Sequence, residues 1–284
     1  MRSAGLLWSA ASGAAATAAA HTALASRPPG GDKRWTRINH RGESVSLLGG
    51  PAVAAGLAAA AVLVPGLPRR LRIATVVGSV GAGCLGVYDD LAGSGDRRGF
   101  RGHLGALSQG ELTSGAVKIF GIGATGIVVA AVAGRRGAGL VVSGGVVAAT
   151  ANLVNLLDLR PGRALKAALV LAALDLRRGG DAARLAAVAS GCALAALPAD
   201  LGERTMLGDG GANALGAVLG TAVVSRAVAG HGTGGGSIDA SEVRRLAVLT
   251  ALTLASEKVS FTRVIDGTPG LRELDRAGRR QRTP

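Results

Sequence analysis

Apolar residues along this chain fall into nine blocks, at about 4–25, 45–65, 71–88, 116–133, 138–157, 163–176, 183–198, 210–228 and 246–257, with arginines between them. Most blocks run roughly 15 to 22 residues, close to the ~20 that cross ~30 Å of hydrocarbon as an α-helix. The pattern predicts an all-α fold, a polytopic membrane helix bundle of about nine to ten transmembrane helices. It spans residues 1–257 and is followed by a basic cytoplasmic tail, 258–284. The sixth, seventh and ninth blocks are short, as expected where a membrane protein lines a cavity. The first block has a second reading. Arg2 before an apolar run ending Ala23-Leu24-Ala25 has the form of a secretory signal. Cleavage would leave Arg27, Lys33, Arg34, Arg37 and Arg41 outside, against the tendency of basic residues to stay inside, so an uncleaved first helix is expected.

Composition narrows the class further. The chain has 284 residues, is 48% hydrophobic and still carries a net charge of +14. In a soluble protein a pI near 11.5 would point to nucleic acid. Here no nucleic-acid partner is expected, because a positive-inside bias and attraction to anionic lipid account for the charge. The blocks are rich in small residues, with 46 Gly and only 2% aromatic residues, which lets helices approach closely in lipid. Cys84 and Cys192 lie inside apolar blocks with no metal-ligand spacing, so neither a disulfide framework nor a zinc site is expected. Alternating the spans from an external N-terminus puts loops 26–44, 89–115, 158–162 and 199–209 and the tail on the inner side, with the larger share of the 32 basic residues. The expected placement is a plasma membrane, multi-pass, N-terminus outside and C-terminus inside. The tail arginines Arg272, Arg276, Arg279, Arg280 and Arg282 read as a lipid-surface or disordered segment with no catalytic role.

The candidate chemistry sits where apolar blocks end. Gly86-Val87-Tyr88-Asp89-Asp90 closes the third, Asn152 to Asp158 closes the fifth, and Met206-Leu207-Gly208-Asp209-Gly210-Gly211 opens the eighth. Carboxylates at a hydrocarbon boundary are costly unless they meet water, a cation or a partner, so they read as functional. The parity of the spans brings Asp89, Asp90, Asp158 and Asp209 to one membrane face as an acidic, metal-ready cluster. Adjacent Asp89 and Asp90, followed by a glycine-rich basic loop with Arg101 and His103, suit Mg²⁺ and a phosphorylated substrate. A solvated helix end, ion-paired to Arg97 and Arg98, is the plainer reading. Asn152, Asn155 and Asp158 share roughly one helix face, as a site or as interhelical glue. Gly208 and Asp209 open a helix whose N-terminus favours bound phosphate. Lys118 is placed either to snorkel to headgroups or to reach a phosphate.

Taken in order, these motifs resemble the polyprenyl-phosphate N-acetylhexosamine-1-phosphate transferases, the family of the phospho-N-acetylmuramoyl-pentapeptide transferase. In that family an aspartate pair closes a helix, an Asn-x-x-Asn-Leu-x-Asp segment follows, and an apolar-Met-Gly-Asp-x-Gly-Ser segment comes later. Arg41-Gly42 and Leu48-Gly49-Gly50-Pro51 also match its first basic loop and Gly-Gly helix start, so the similarity runs from about 35 to about 220. The resemblance implies a cytoplasmic-face reaction. A polyprenyl phosphate attacks the β-phosphorus of a UDP-linked amino sugar, giving polyprenyl-diphospho-sugar and UMP with Mg²⁺, or Mn²⁺ in its place. Asp89, Asp90, Asp158 and Asp209 are then the catalytic acids, with Asp90 and Asp209 expected at the metal and Asp89 able to exchange roles with Asp90. Asn152, Asn155, Lys118, Arg101, His103 and Gly208 would contact substrate. Expected partners are the lipid carrier, the UDP-amino sugar and the bilayer, with a homodimer left open. The chain also departs from the pattern. The lysine after the aspartate pair is missing, Asp158-Leu159-Arg160-Pro161 replaces an Asp-Gly-x-Asp-Gly continuation, Ala212 replaces the serine, and Ser256-Glu257-Lys258 stands where a histidine-rich loop belongs. Those losses motivate an alternative, a non-catalytic relative that binds the lipid carrier or an envelope partner.

Overall fold

One helix, buried on nearly every side, organises the molecule. The computed structural model describes residues 2–39, 41–92, 113–230 and 236–280. Among them nine longer helices coincide with the nine apolar blocks: α1 (Arg2–Ser26), α3 (Gly49–Leu63), α4 (Arg69–Ala92), α5 (Ser114–Ala133), α6 (Gly137–Leu156), α7 (Arg163–Leu176), α8 (Gly180–Leu201), α9 (Gly208–Gly230) and α10 (Ala240–Ser256). A short α2 (Asp32–Trp35) and an antiparallel pair, β1 (Thr36–Ile38) and β2 (Ser44–Ser46), fill the first loop. Two short helices, α11 (Phe261–Gly267) and α12 (Pro269–Arg276), follow α10.

Helix α9 is the centre, packed by α4 and α6 and, less extensively, by α8 and α3. Helix α1 lies against α8 and α3, α5 against α4 and α6, and α10 against α6. The sequence permits this crowding through glycine. A Cβ on Gly86 of α4 would collide with the Asp209 carbonyl, and one on Gly50 of α3 with the Leu207 carbonyl, so α9 sits closer to both than any larger residue allows. The core is correspondingly Ala, Val and Leu, with Leu57, Leu185, Leu215 and Leu219 fully enclosed.

Five helices, α4, α5, α6, α8 and α9, are long and apolar enough to cross a membrane. That is fewer than the nine to ten expected from the blocks. Helices α3, α7 and α10 have 15, 14 and 17 residues, short of the ~20 a perpendicular crossing needs. Helix α1 has the length, but Ser, Thr, Gly and His21 interrupt its apolar run.

Two regions depart from the sequence reading. The second block begins in β2, and its helix starts only at Gly49 with Pro51 in the first turn, where the missing N–H costs nothing. The segment after 258 is ordered through Arg280. The buried Arg163 guanidinium forks onto Asp275 at 2.7 and 3.2 Å, and Lys166 Nζ donates to the carbonyls of Leu274, Asp275 and Ala277 at the C-terminal end of α12. Burial works against ionisation of Asp275, but the hydrogen bonds and charge of Arg163, with Arg279 and Lys166 behind it, hold its pKa below the usual carboxylate value.

Candidate functional site

The polar residues singled out in the sequence converge at one end of the bundle, and the first turn of α9 is their meeting point. A helix leaves its first N–H groups without internal partners, and here three carboxylates from other segments take them. Asp200, at the end of α8, accepts from Leu207 N at 2.9 Å and from Gly162 N at 2.5 Å. Asp158 accepts from Gly208 N. Asp90, at the end of α4, accepts from Asp209 N at 3.1 Å and Gly210 N at 3.0 Å. Gly208 sits at φ +60°, and a Cβ there would lie 2.9 Å from Asp90 Oδ2, so glycine is needed both for the backbone and for the cap. The expectation that this helix end receives phosphate is therefore corrected. Its amides and its positive dipole end are already matched by acids.

Asp89 and Asp209 do something different. Both face the ammonium of Lys118, 2.6 Å from Asp89 Oδ2 and in direct contact with Asp209 Oδ2. Helix α5 delivers that lysine because Thr113 caps it, accepting from Ala116 N at 3.1 Å, and Lys118 follows one turn in. The side chains of Lys118, Asp89 and Asp209 are 17%, 18% and 27% exposed, so the trio is open to a ligand from the bundle end. Among the described residues no group of three or more His, Cys, Asp or Glu side chains surrounds a metal position. The expected four-acid cluster is split. Asp90, placed at the metal in the sequence reading, has both oxygens on backbone amides, and the shared cation position belongs to Asp89 and Asp209.

Asp158 lies just beyond α6, half-buried. Desolvation, reinforced by the negative charges of Asp200, Asp209 and Asp90, pushes its pKa well above the ordinary 3.8. With Asp200, Glu203 and Arg160 it lines a cavity of about 230 Å³ beside Asn39 and Val45. Glu203 is the one described non-glycine residue at positive φ, +55°. It is held there by Arg41 at 3.0 Å and by Asn39, which donates to it at 2.7 Å.

A second cavity, of about 320 Å³, opens between α5, α6 and α10. Lys118, Asn152, Asn155 and Asn213 stand at its head and apolar residues such as Ile119, Ile122 and Leu254 form its walls. Asn152 donates to Thr253 at 2.9 Å, tying α6 to α10. Asn155 Oδ1 and both amide atoms of Asn213, a residue only 1% exposed, are buried without a hydrogen-bond partner. Asn213 and Asp200 escaped the sequence reading. Asn213 carries a signal in hindsight, since it lies one helical turn after Asp209 inside an apolar block. Arg101 and His103 lie outside the described residues.

Fold and site together define an all-helical protein with five helices long and apolar enough to cross a membrane and a lysine-bridged acid pair at one bundle end. No protein-family model matches this chain, and no curated protein matches it either.

Proposed function

We propose that this protein is an integral membrane phosphotransferase of the type its motifs resemble, moving a sugar-1-phosphate, in the N-acetylhexosamine class, from a UDP-sugar to a polyprenyl phosphate. The single observation that carries the reading is the convergence of Asp89, Asp209 and Lys118, from three distant segments, on one charge position at the mouth of an apolar cavity. Phosphoryl transfer asks chiefly for positioning and neutralisation of oxygen charge. In this reading the helix bundle spans the plasma membrane and the acid-bearing end faces the cytoplasm, with the N-terminus outside.

Each group has work suited to its place. The apolar cavity takes the prenyl chain, leaving its phosphate near Lys118 and the unpartnered amides of Asn155 and Asn213. Asp90, Asp158 and Asp200 hold the first turn of α9 and so aim Asp209. An oxygen of the lipid phosphate bonds to the β-phosphorus as the bond from that phosphorus to the bridging oxygen breaks, and UMP leaves with the bridging oxygen. Magnesium fits this donor set: two carboxylates converge on one cation position, and Mg²⁺ is commonly held by one or two carboxylates, with water and substrate phosphate completing its shell. Asp89 and Asp209 would hold it, and when bound it would neutralise diphosphate oxygens. Lys118 would then be free to pair with phosphate.

Membranes containing the protein, given a polyprenyl phosphate, a UDP-N-acetylhexosamine and Mg²⁺, are expected to yield a lipid-linked diphospho-sugar detectable by mass spectrometry. Asp209→Asn is expected to abolish it. Absence of product with every UDP-sugar tried, under Mg²⁺ and Mn²⁺, overturns the reading. The Lys118 ammonium between the two acids favours a second reading, a lipid-carrier binder that performs no transfer. It predicts tight polyprenyl-phosphate binding that persists in Asp89→Asn and Asp209→Asn.

A further inference from the structure

The segment after α10 does more than lie on a surface. Locked by Asp275 to Arg163 and by Arg279 to the Pro161 carbonyl at 3.0 Å, it closes over the end of the bundle beside the acid-lined cavity. Between this segment, Arg41 and the 158–162 turn lies a third and larger cavity, about 1110 Å³. Its wall carries six arginines against three acids, Glu203, Asp266 and Glu273. Glu203 is already committed to Arg41 and Asn39. Arg279 and Arg280 are spent on Asp275 and Glu43. Arg160, Arg272 and Arg276 make no ion pair among the described residues, although Asp266 and Glu273 share their cavity. The space adjoins the Asp158 cavity through a common wall of Arg160, Pro161 and Glu203.

We infer that the docked C-terminal segment forms an anion vestibule, built to take the diphosphate of a water-soluble substrate before it reaches Asp89 and Asp209. The onward passage to those acids rests on the transferase reading, whereas capture of the anion stands without it. Guanidinium groups fork onto phosphate oxygens, and three of those on the wall, Arg160, Arg272 and Arg276, are free of ion pairs among the described residues to meet the two to three negative charges that a diphosphate ester carries at about neutral pH. The amides at the start of α9 are consumed by carboxylates, so the phosphate-binding role falls to side chains supplied from elsewhere. Position favours a soluble source, since the vestibule lies beyond the polar end of the bundle and opens onto the cavity beside the site.

The test uses the full-length protein in phosphatidylcholine nanodiscs, with inorganic pyrophosphate as probe and calorimetry as readout. Saturable binding is expected. The double variant Arg272→Ala/Arg276→Ala should weaken it about tenfold or more, with the melting temperature unchanged because neither side chain holds the fold. Asp275→Ala, which releases the segment, should do the same by a separate route, and Asp209→Asn should leave binding intact. Absence of saturable binding, or binding indifferent to the double variant, overturns the vestibule. So does a double variant that alters only association with phosphatidylglycerol vesicles, which would assign these arginines to lipid. The two readings fail separately. Wild-type turnover with unchanged KM in the double variant sinks the vestibule and spares the transferase, whereas pyrophosphate binding without any lipid-linked product does the reverse.

Discussion

The two ends of the bundle both bury carboxylates, but the acids around the first turn of α9 are held differently from those at the far end. At the end away from the site, arginine meets the two most deeply buried acids, Glu242 and Asp175. Glu242 in α10 is bonded by Arg135 at 2.9 Å and by Ser143 at 2.8 Å, with the guanidinium and carboxylate side chains 0% and 1% exposed. Asp175 contacts Arg226 and has Arg178 and Arg245 at 3.8 and 3.9 Å. At the site end, Asp90, Asp158 and Asp200 bond backbone amides, and two further acids share a single lysine. An acid surrounded by arginine is closed to any other cation. Acids that bond amides, or divide one ammonium between two, keep lone pairs in reach of a ligand. The first arrangement pins helices together, and the second leaves negative charge that a substrate or metal can complete.

The largest effect should come from the closed end. Glu242→Ala strands the Arg135 guanidinium and is expected to cost about 3–5 kcal/mol in denaturant unfolding, with most of that recovered in the double variant Arg135→Met/Glu242→Leu. At the open end Asp90→Ala removes a cap from two amides, so a loss of about 1–2 kcal/mol is expected by the same measurement. A loss as large as that of Glu242 would erase the distinction between the ends. Lys118→Met sharpens it further. With the ammonium gone, millimolar Mg²⁺ should raise the melting temperature of the variant by the equivalent of about 1 kcal/mol and that of wild type by less. Equal shifts would mean that the acid pair is no cation site.

The smallest effect is a pH dependence. The folded-state pKa of Asp158 is raised above its unfolded value, so the fold holds this proton more tightly than the unfolded chain does. Its contribution favours the fold below the ordinary 3.8 and declines as pH climbs from there toward the raised value. Asp158→Asn should flatten that decline in thermal melts across the acid range. Asp275 has the opposite sign: its stabilisation is present above the usual carboxylate range and fades as pH falls below it.

Much of this was legible in the chain before any coordinates. Apolar runs are a local signal, and every block became a helix. The parity of those helices carried Asp89, Asp158 and Asp209 to one end, because consecutive helices in a bundle alternate direction. Chemistry at that end was harder to read, since it depends on pairings with no local signature. Lys118 and Asp209 are 91 residues apart, and Arg163 and Asp275 are 112 apart. An arginine-rich tail looks like a solvated one until the acid that it brings with it, Asp275, finds a buried guanidinium. Strands of three residues, such as β1 and β2, are too short for alternation to register.

The enclosure of α9 bears on how the chain is assembled. Its extensively packed neighbours, α3, α4, α6 and α8, all precede it in synthesis, and 83% of its most apolar stretch is buried inside the molecule. A segment so poor in lipid-facing surface, with Asn213 and Arg226 along its length, gains little from dissolving in the bilayer alone. On that account the earlier helices are completed from within, by a small-residue rod that reaches them only after they have been made.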